Sequence, residues 1–195
     1  MTAAPLILAF DTAGPHCMAA LCRGDLLLGA RSEMLARGQA ERLMPMLEEV
    51  LDAAGATWAD LSAIGVGVGP GNFTGIRIAV SAARGLALGL DIPAVGVSGC
   101  EARQMMGARP AAIPAPRDHA YLCDPEASDS LPRLVPLEEL PQGIALDASP
   151  PGLAEGIARI ALQRWQDTET LPAPLYLRPA DAAPARDLPP PILDA

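Results

Sequence analysis

The first half of the chain predicts an α/β fold in which a mixed sheet is flanked by helices. Three short apolar runs follow one another through connections that suit only an antiparallel meander. Two further apolar runs come later, each preceded by a segment of helical period, the arrangement expected of parallel crossovers. Beyond Ser98 the composition changes, with 16 of the 21 prolines at or after Pro110, which disfavours long regular elements there.

Leu6 to Phe10 reads as a buried strand, His16 to Arg23 as a second and Leu26 to Arg31 as a third, with Arg23-Gly24-Asp25 as the turn between the last two. Gln39 to Ala54 carries Leu43, Leu47, Val50, Leu51 and Ala54 on one stripe of a helix, and Gly55 stands where the helix should be capped. Pro45 requires that it lie in the first turn or kink the helix. Ala63 to Val68 is a strand, the glycine-dense stretch from Gly67 to Gly75 a loop, Ile76 to Leu88 a second helix, and Asp91 to Ser98 a closing strand. This order is that of a ribonuclease-H-like lobe.

In the second half, Ala111 to Cys123 has room for one or two broken strands. Gly152 to Gln166 is an amphipathic helix, with Leu153, Ile157, Ile160, Ala161 and Trp165 at helical spacing, and Leu175-Tyr176-Leu177 suggests a last strand. The expected organisation is a first lobe over 1–98, a shortened proline-rich second lobe over 99–178 and a flexible tail over 179–195.

Composition removes several functions. The formal charge is −9 and all 14 basic residues are arginine, so there is no phosphate-loop lysine, Schiff base or lysine base. Such a chain repels a nucleic-acid backbone on average, and two Phe, two Tyr and two Trp cannot supply a base-stacking surface. Cys17, Cys22, Cys100 and Cys123 form no paired motif and read as small buried hydrophobes of a reducing compartment. No export signal is visible, and the apolar stretch Ile78 to Leu90 is too short to span a bilayer. A cytoplasmic protein is expected.

The candidate sites are few. His16 and His119 are too far apart for a helical metal motif, and no metal site is expected. Gly69-Pro70-Gly71-Asn72-Phe73-Thr74-Gly75 could aim backbone N–H groups at an anion. A tight turn with a close backbone approach is favoured over that reading, since no Lys-Ser or Lys-Thr follows. Asp11-Thr12 ends the first strand where a nucleotide-binding fold would place a phosphate hairpin, but no matching glycine-rich hairpin occurs later, and a structural role for Asp11 is favoured. The second helix is apolar almost all round: Ile76, Val80, Ala83 and Ala87 make one stripe, and Ile78, Ala82, Leu86 and Leu88 cover the opposite sides. A helix of that kind needs cover on more than one face; the first two helices could cover each other, and another polypeptide is the favoured source of the cover.

Leu8-Ala9-Phe10-Asp11-Thr12-Ala13, Arg42-Leu43-Met44-Pro45-Met46-Leu47, the element Gly69-Pro70-Gly71-Asn72-Phe73-Thr74-Gly75-Ile76-Arg77, Gly96-Val97-Ser98 and Leu175-Tyr176-Leu177-Arg178 together resemble the bacterial TsaB (YeaZ) family. The resemblance is dense over 6–98 and rests beyond that on the Tyr-Leu-Arg motif. It implies an actin-like, Hsp70-like fold and a non-catalytic subunit that supports a related enzyme, TsaD, with the ATPase TsaE, in forming threonylcarbamoyladenosine on tRNA. It further implies homodimers when the chain is alone, only indirect tRNA contact, and no cofactor of its own, ATP or ADP entering only within the complex. The partner surface implied is the first two helices, on this chain Leu43, Met44, Leu47, Leu51, Ile76, Val80, Ala83 and Ala87, while Asp11 and Thr12 mark a vestigial nucleotide site. Gln39 stands where many members carry His. The alternative reading is an ATP-dependent phosphotransferase of the same fold.

Overall fold

In the computed structural model, residues 4–107, 110–124 and 131–177 are described; Arg178 of the Tyr-Leu-Arg motif and the expected tail over 179–195 lie outside them. Strands β1 (Leu6–Asp11), β2 (His16–Arg23) and β3 (Leu26–Met34) form the meander, and β4 (Ala63–Gly67) and β5 (Ala94–Val97) extend it by parallel crossovers. The sheet order is β3-β2-β1-β4-β5. Helices α1 (Gln39–Ala53) and α2 (Phe73–Leu90) make the crossovers, and both cover the face that carries Leu6, Leu8, Phe10, Ala19, Leu21, Ile64 and Val66. β1 alternates between two cores, since Ile7 and Ala9 point to the other side; a central strand buried on both faces reads as an unbroken apolar run for this reason.

Helix α3 (Gly99–Met105) follows β5 at once. Its start is a reciprocal cap, in which Ser98 Oγ accepts from the Glu101 amide and the Glu101 carboxylate accepts from the Ser98 amide. Then come β6 (Ala111–Ala115), β7 (His119–Cys123), β8 (Arg133–Pro136) and the two-residue β9 (Ala145–Leu146), a second sheet in the order β8-β7-β6-β9. Two mixed sheets flanked by helices give the actin-like, two-lobe architecture with a short second lobe.

Helix α4 (Leu153–Arg164) lies in sequence within the expected second lobe but packs on the first sheet, where Leu153, Ile157, Ile160 and Ala161 meet Ile7, Ala9, Met18 and Ala20. The approach is close: a methyl group on Gly65 would come within 3.1 Å of Ile157. The chain therefore returns to its first half to seal that half's open face.

Several expectations need correction. Of the two places open to Pro45, the first turn is excluded: it sits inside α1, where it deletes one backbone hydrogen bond. Leu175-Tyr176-Leu177 is not a strand. Leu175 donates one backbone hydrogen bond to Val68, 2.8 Å, and Pro172 and Pro174 have no N–H with which to continue a ladder. Helix α2 runs for 18 residues and by length and hydropathy would suffice to cross a membrane. Its apolarity has a different use, because Ile76, Ala79, Val80, Ala83 and Ala87 are sealed against the first core. Cys100 and Cys123 form a disulfide, and only Cys17 and Cys22 are free thiols.

Candidate functional site

The glycine-rich loop between β4 and α2 is a backbone-to-backbone junction with the β1–β2 turn. A methyl on Gly75 would stand 2.0 Å from the Thr12 carbonyl oxygen, and one on Gly71 would stand 2.4 Å from that of Ala13. Gly69 has φ +97°, a conformation that L side chains rarely adopt. Asn72 caps α2 by accepting from the Gly75 amide at 2.9 Å, and its own amide donates to Ala13 O at 2.7 Å. The tight-turn reading of the loop describes this geometry.

Thr12 Oγ1 donates to Gly75 O at 2.7 Å. Asp11 Oδ1 accepts from the Ala13 amide at 2.8 Å and lies 2.6 Å from His16 Nε2, while His16 Nδ1 lies 2.6 Å from Ser149 Oγ. Asp11, Thr12 and His16 are all buried. The groups that a phosphate hairpin would display to magnesium and phosphate are thus engaged in tying the hairpin to the α2 loop and to the segment before α4. Among the described residues no group of three or more His, Cys, Asp or Glu side chains gathers that could hold a metal ion.

A cleft of about 780 Å³ runs between the lobes, walled by the hairpin at 13–16, the glycine loop, the start of α1, and Ile113, Pro114 and Tyr121 of the second sheet. Arg103 closes its back. Its guanidinium donates to Gly99 O at 2.9 Å and Asp147 O at 2.8 Å. Burial pulls its pKa down and the nearby Asp11 and Asp147 pull the other way, the net shift being downward. Sequence reasoning missed Arg103 and Ser149, because neither belongs to a motif and the contacts that bring them to the cleft, Arg103 to Asp147 and Ser149 to His16, are distant in sequence.

At the mouth of the glycine loop Phe73, Arg77 and Tyr176 form a stack. The two rings are 4.9 Å apart, the Arg77 guanidinium lies 3.9 Å over Phe73, and Arg77 Nε donates to Tyr176 Oη at 2.8 Å. Two motifs nearly a hundred residues apart in sequence are here one cluster. Away from the sheet, α2 carries Ile78, Ala82 and Leu86, each partly buried against the first core, and the exposed Gly85 and Leu88; Leu88 is 85% exposed, and a Cβ at Gly85 or Gly89 would meet open space. Met44 of α1 is 37% exposed.

Of the eight residues expected at a partner surface, Leu43, Leu47, Leu51, Ile76, Val80, Ala83 and Ala87 are at most 4% exposed and belong to the first core. Only Met44 reaches the surface. The apolar stripe of each helix is the side that faces its own sheet, so the side available to another chain is the weaker, opposite one.

The family model for tRNA N6-adenosine threonylcarbamoyltransferase, TsaD, matches residues 29–119. The tRNA threonylcarbamoyladenosine biosynthesis protein TsaB of Escherichia coli is 42% identical over 92 residues, 47% of this chain and 39% of that protein. The TsaB protein of Bacillus subtilis is 39% identical over 95 residues, 49% of this chain and 42% of that protein. The chain thus spans about two fifths of the length of these relatives. A solved structure described as YeaZ from Pseudomonas aeruginosa superposes with a TM-score of 0.70 at 30% identity, covering 89% of this chain and all of that one. The chain belongs to the TsaB (YeaZ) family. An uncharacterized Mycobacterium tuberculosis protein, 35% identical over 91% of this chain and 94% of its own length, extends the similarity into the second lobe. Within the TsaB family frame, Gln39 at the start of α1 uses its side-chain amide to donate to Leu35 O at 2.9 Å. Arg42 of the family's helix motif donates to Glu33 and Glu49, both at 2.8 Å; it fastens α1 to the edge strand β3.

Proposed function

We propose that this chain is the non-catalytic subunit that binds a TsaD homologue and supports it in tRNA threonylcarbamoyladenosine formation. The observation that carries the reading is the outer face of α2, where Gly85 and Leu88 are exposed and Ile78, Ala82 and Leu86 are only partly buried, while the inner face is filled. Glycine at 85 and 89 lets a neighbouring helix approach closely, and an apolar strip of this kind is what an obligate contact covers. The same strip serves a homodimer when the chain is alone. A TsaE homologue joins through the complex, in the cytoplasm, and tRNA is gripped by the partner, since a chain of charge −9 has little to offer phosphate. Nucleotide enters only within the complex, because Asp11 and Thr12 are committed to internal hydrogen bonds.

Gly85→Glu tests the reading. A Cβ at this position meets nothing within 4 Å beyond its own helix backbone, and replacing a helix-interior glycine adds up to about 1 kcal/mol of helix propensity. The variant should keep or raise its melting temperature and lose co-purification with a tagged TsaD homologue. Full co-purification by the folded variant would overturn the proposal.

A further inference from the structure

We propose that Cys100 and Cys123 act as a reversible dithiol–disulfide bolt that sets how firmly the second sheet is held to the first lobe. Cys100 lies in the first turn of α3 and Cys123 ends β7, 23 residues later. The two belong to a small core whose other buried members are Ala111, Ile113 and Tyr121, with Ala115 and Leu177 at its margin. The first core, by contrast, holds Phe10, Met46 and a series of leucines and isoleucines. So few apolar atoms grip the second sheet weakly, and the covalent bond replaces packing that the sequence does not supply.

Helix α3 is the bracket to which that sheet is bolted. Ala102 is buried in the core shared with α4, and Gly156 of α4 lets the helices cross so closely that a methyl there would stand 2.5 Å from Ala102 O. On the far side, Ile113, Pro114 and Tyr121 form a wall of the cleft. Loosening the bolt therefore loosens the wall. In a reducing cytoplasm a protein disulfide is characteristically a redox-responsive one.

The exchange balances with a low-molecular-weight disulfide of the glutathione class. Two thiols lose two protons and two electrons as the S–S bond forms, and the glutathione disulfide is split into two thiols that take them up. Both sulfurs are buried, so exchange proceeds through local opening of this small core. Cys17 and Cys22 are set apart in the sheet, where burial pushes each thiol up to about 11 and keeps it protonated and inert.

The test uses the whole chain equilibrated with oxidised glutathione or with dithiothreitol. Oxidised protein should leave only two thiols open to alkylation after denaturation. Amide hydrogen exchange over 99–105 and 111–123 should be at least about tenfold faster in the reduced protein, with α2 unchanged. A Cys100→Ser, Cys123→Ser double variant should match the reduced protein in both buffers; should that variant not fold, the reduced wild-type chain remains the readout. Failure of the bond to form, equal exchange over 111–123 in the two states, or acceleration spread evenly through the chain would each overturn the proposal.

Discussion

The backbone contacts around Gly71 and Gly75 leave no room for a side chain. Alanine at either position drives a methyl against a carbonyl oxygen of the β1–β2 turn, and neither wall is a flexible side-chain end. Gly75→Ala should therefore cost more than about 3 kcal/mol, in the range of severe overpacking, measured as the shift in urea midpoint. The two free thiols make a second test at this scale. Burial raises Cys17 and Cys22 from the ordinary 9.0 to about 11, so the folded chain holds protons that the unfolded chain releases. The stability involved is fully present below pH 9 and is lost as the pH rises through about 11. Denaturant titrations across that window should show the decline, and Cys17→Ala with Cys22→Ala should flatten it. Glu101 has the opposite sign. Burial raises its pKa, but hydrogen bonds from Ser98 and Arg164 outweigh that and hold it below its ordinary 4.5. Its contribution is present above that value and fades as the pH falls below it. Glu101→Ala should cost about 1 kcal/mol, mainly through the lost cap, since the half-exposed pair with Arg164 adds little.

Helices show where sequence is legible and where it stops. The periodicity of α1, α2 and α4 locates each of them because apolar spacing reports which side of a helix meets a core. It does not tell whose core. Val80 and Ala83 share the most regular stripe of α2, and both are sealed inside their own lobe. Val80→Asp would bury an unpaired charge, which costs several kcal/mol, and should unfold the chain instead of reporting on a partner. Leu88→Glu and Gly85→Glu sit at exposed positions of the outward side and separate the two effects: folded by circular dichroism, unable to bind. Helix α3 was legible in principle, since Ser98-Gly99-Cys100-Glu101 is a capping signature ahead of Ala102. Its seven residues are too few to show a periodic apolar stripe, which is the signal that locates the longer helices. The disulfide left no trace in sequence spacing, because Cys100 and Cys123 meet only after β6 and β7 have folded against α3.

At the scale of the whole molecule, the first sheet and its strand order follow from the first hundred residues, because short connections and parallel crossovers permit few arrangements. The return of α4 to that sheet could not be read locally: its apolar face fits any core of suitable width, and the close glycine contacts at Gly65 and Gly156 appear only in three dimensions. Both faces of the first sheet are thus covered by the chain's own helices, while apolar side chains stay exposed along the edge strand β3, at Leu26 and Met34, and on the outside of α2 and α1, at Leu88 and Met44. The strip on α2 and α1 is where the functional account rests. Hydroxyl-radical footprinting reads it directly, because the exposed Met44 lies on the strip, Met46 is sealed in the core and Met106 is exposed at the end of α3. With the chain dilute enough to be monomeric by light scattering, adding a TsaD homologue should slow oxidation of Met44 several-fold and leave Met106 unchanged. A complex that forms while Met44 oxidises at its free rate would contradict the account.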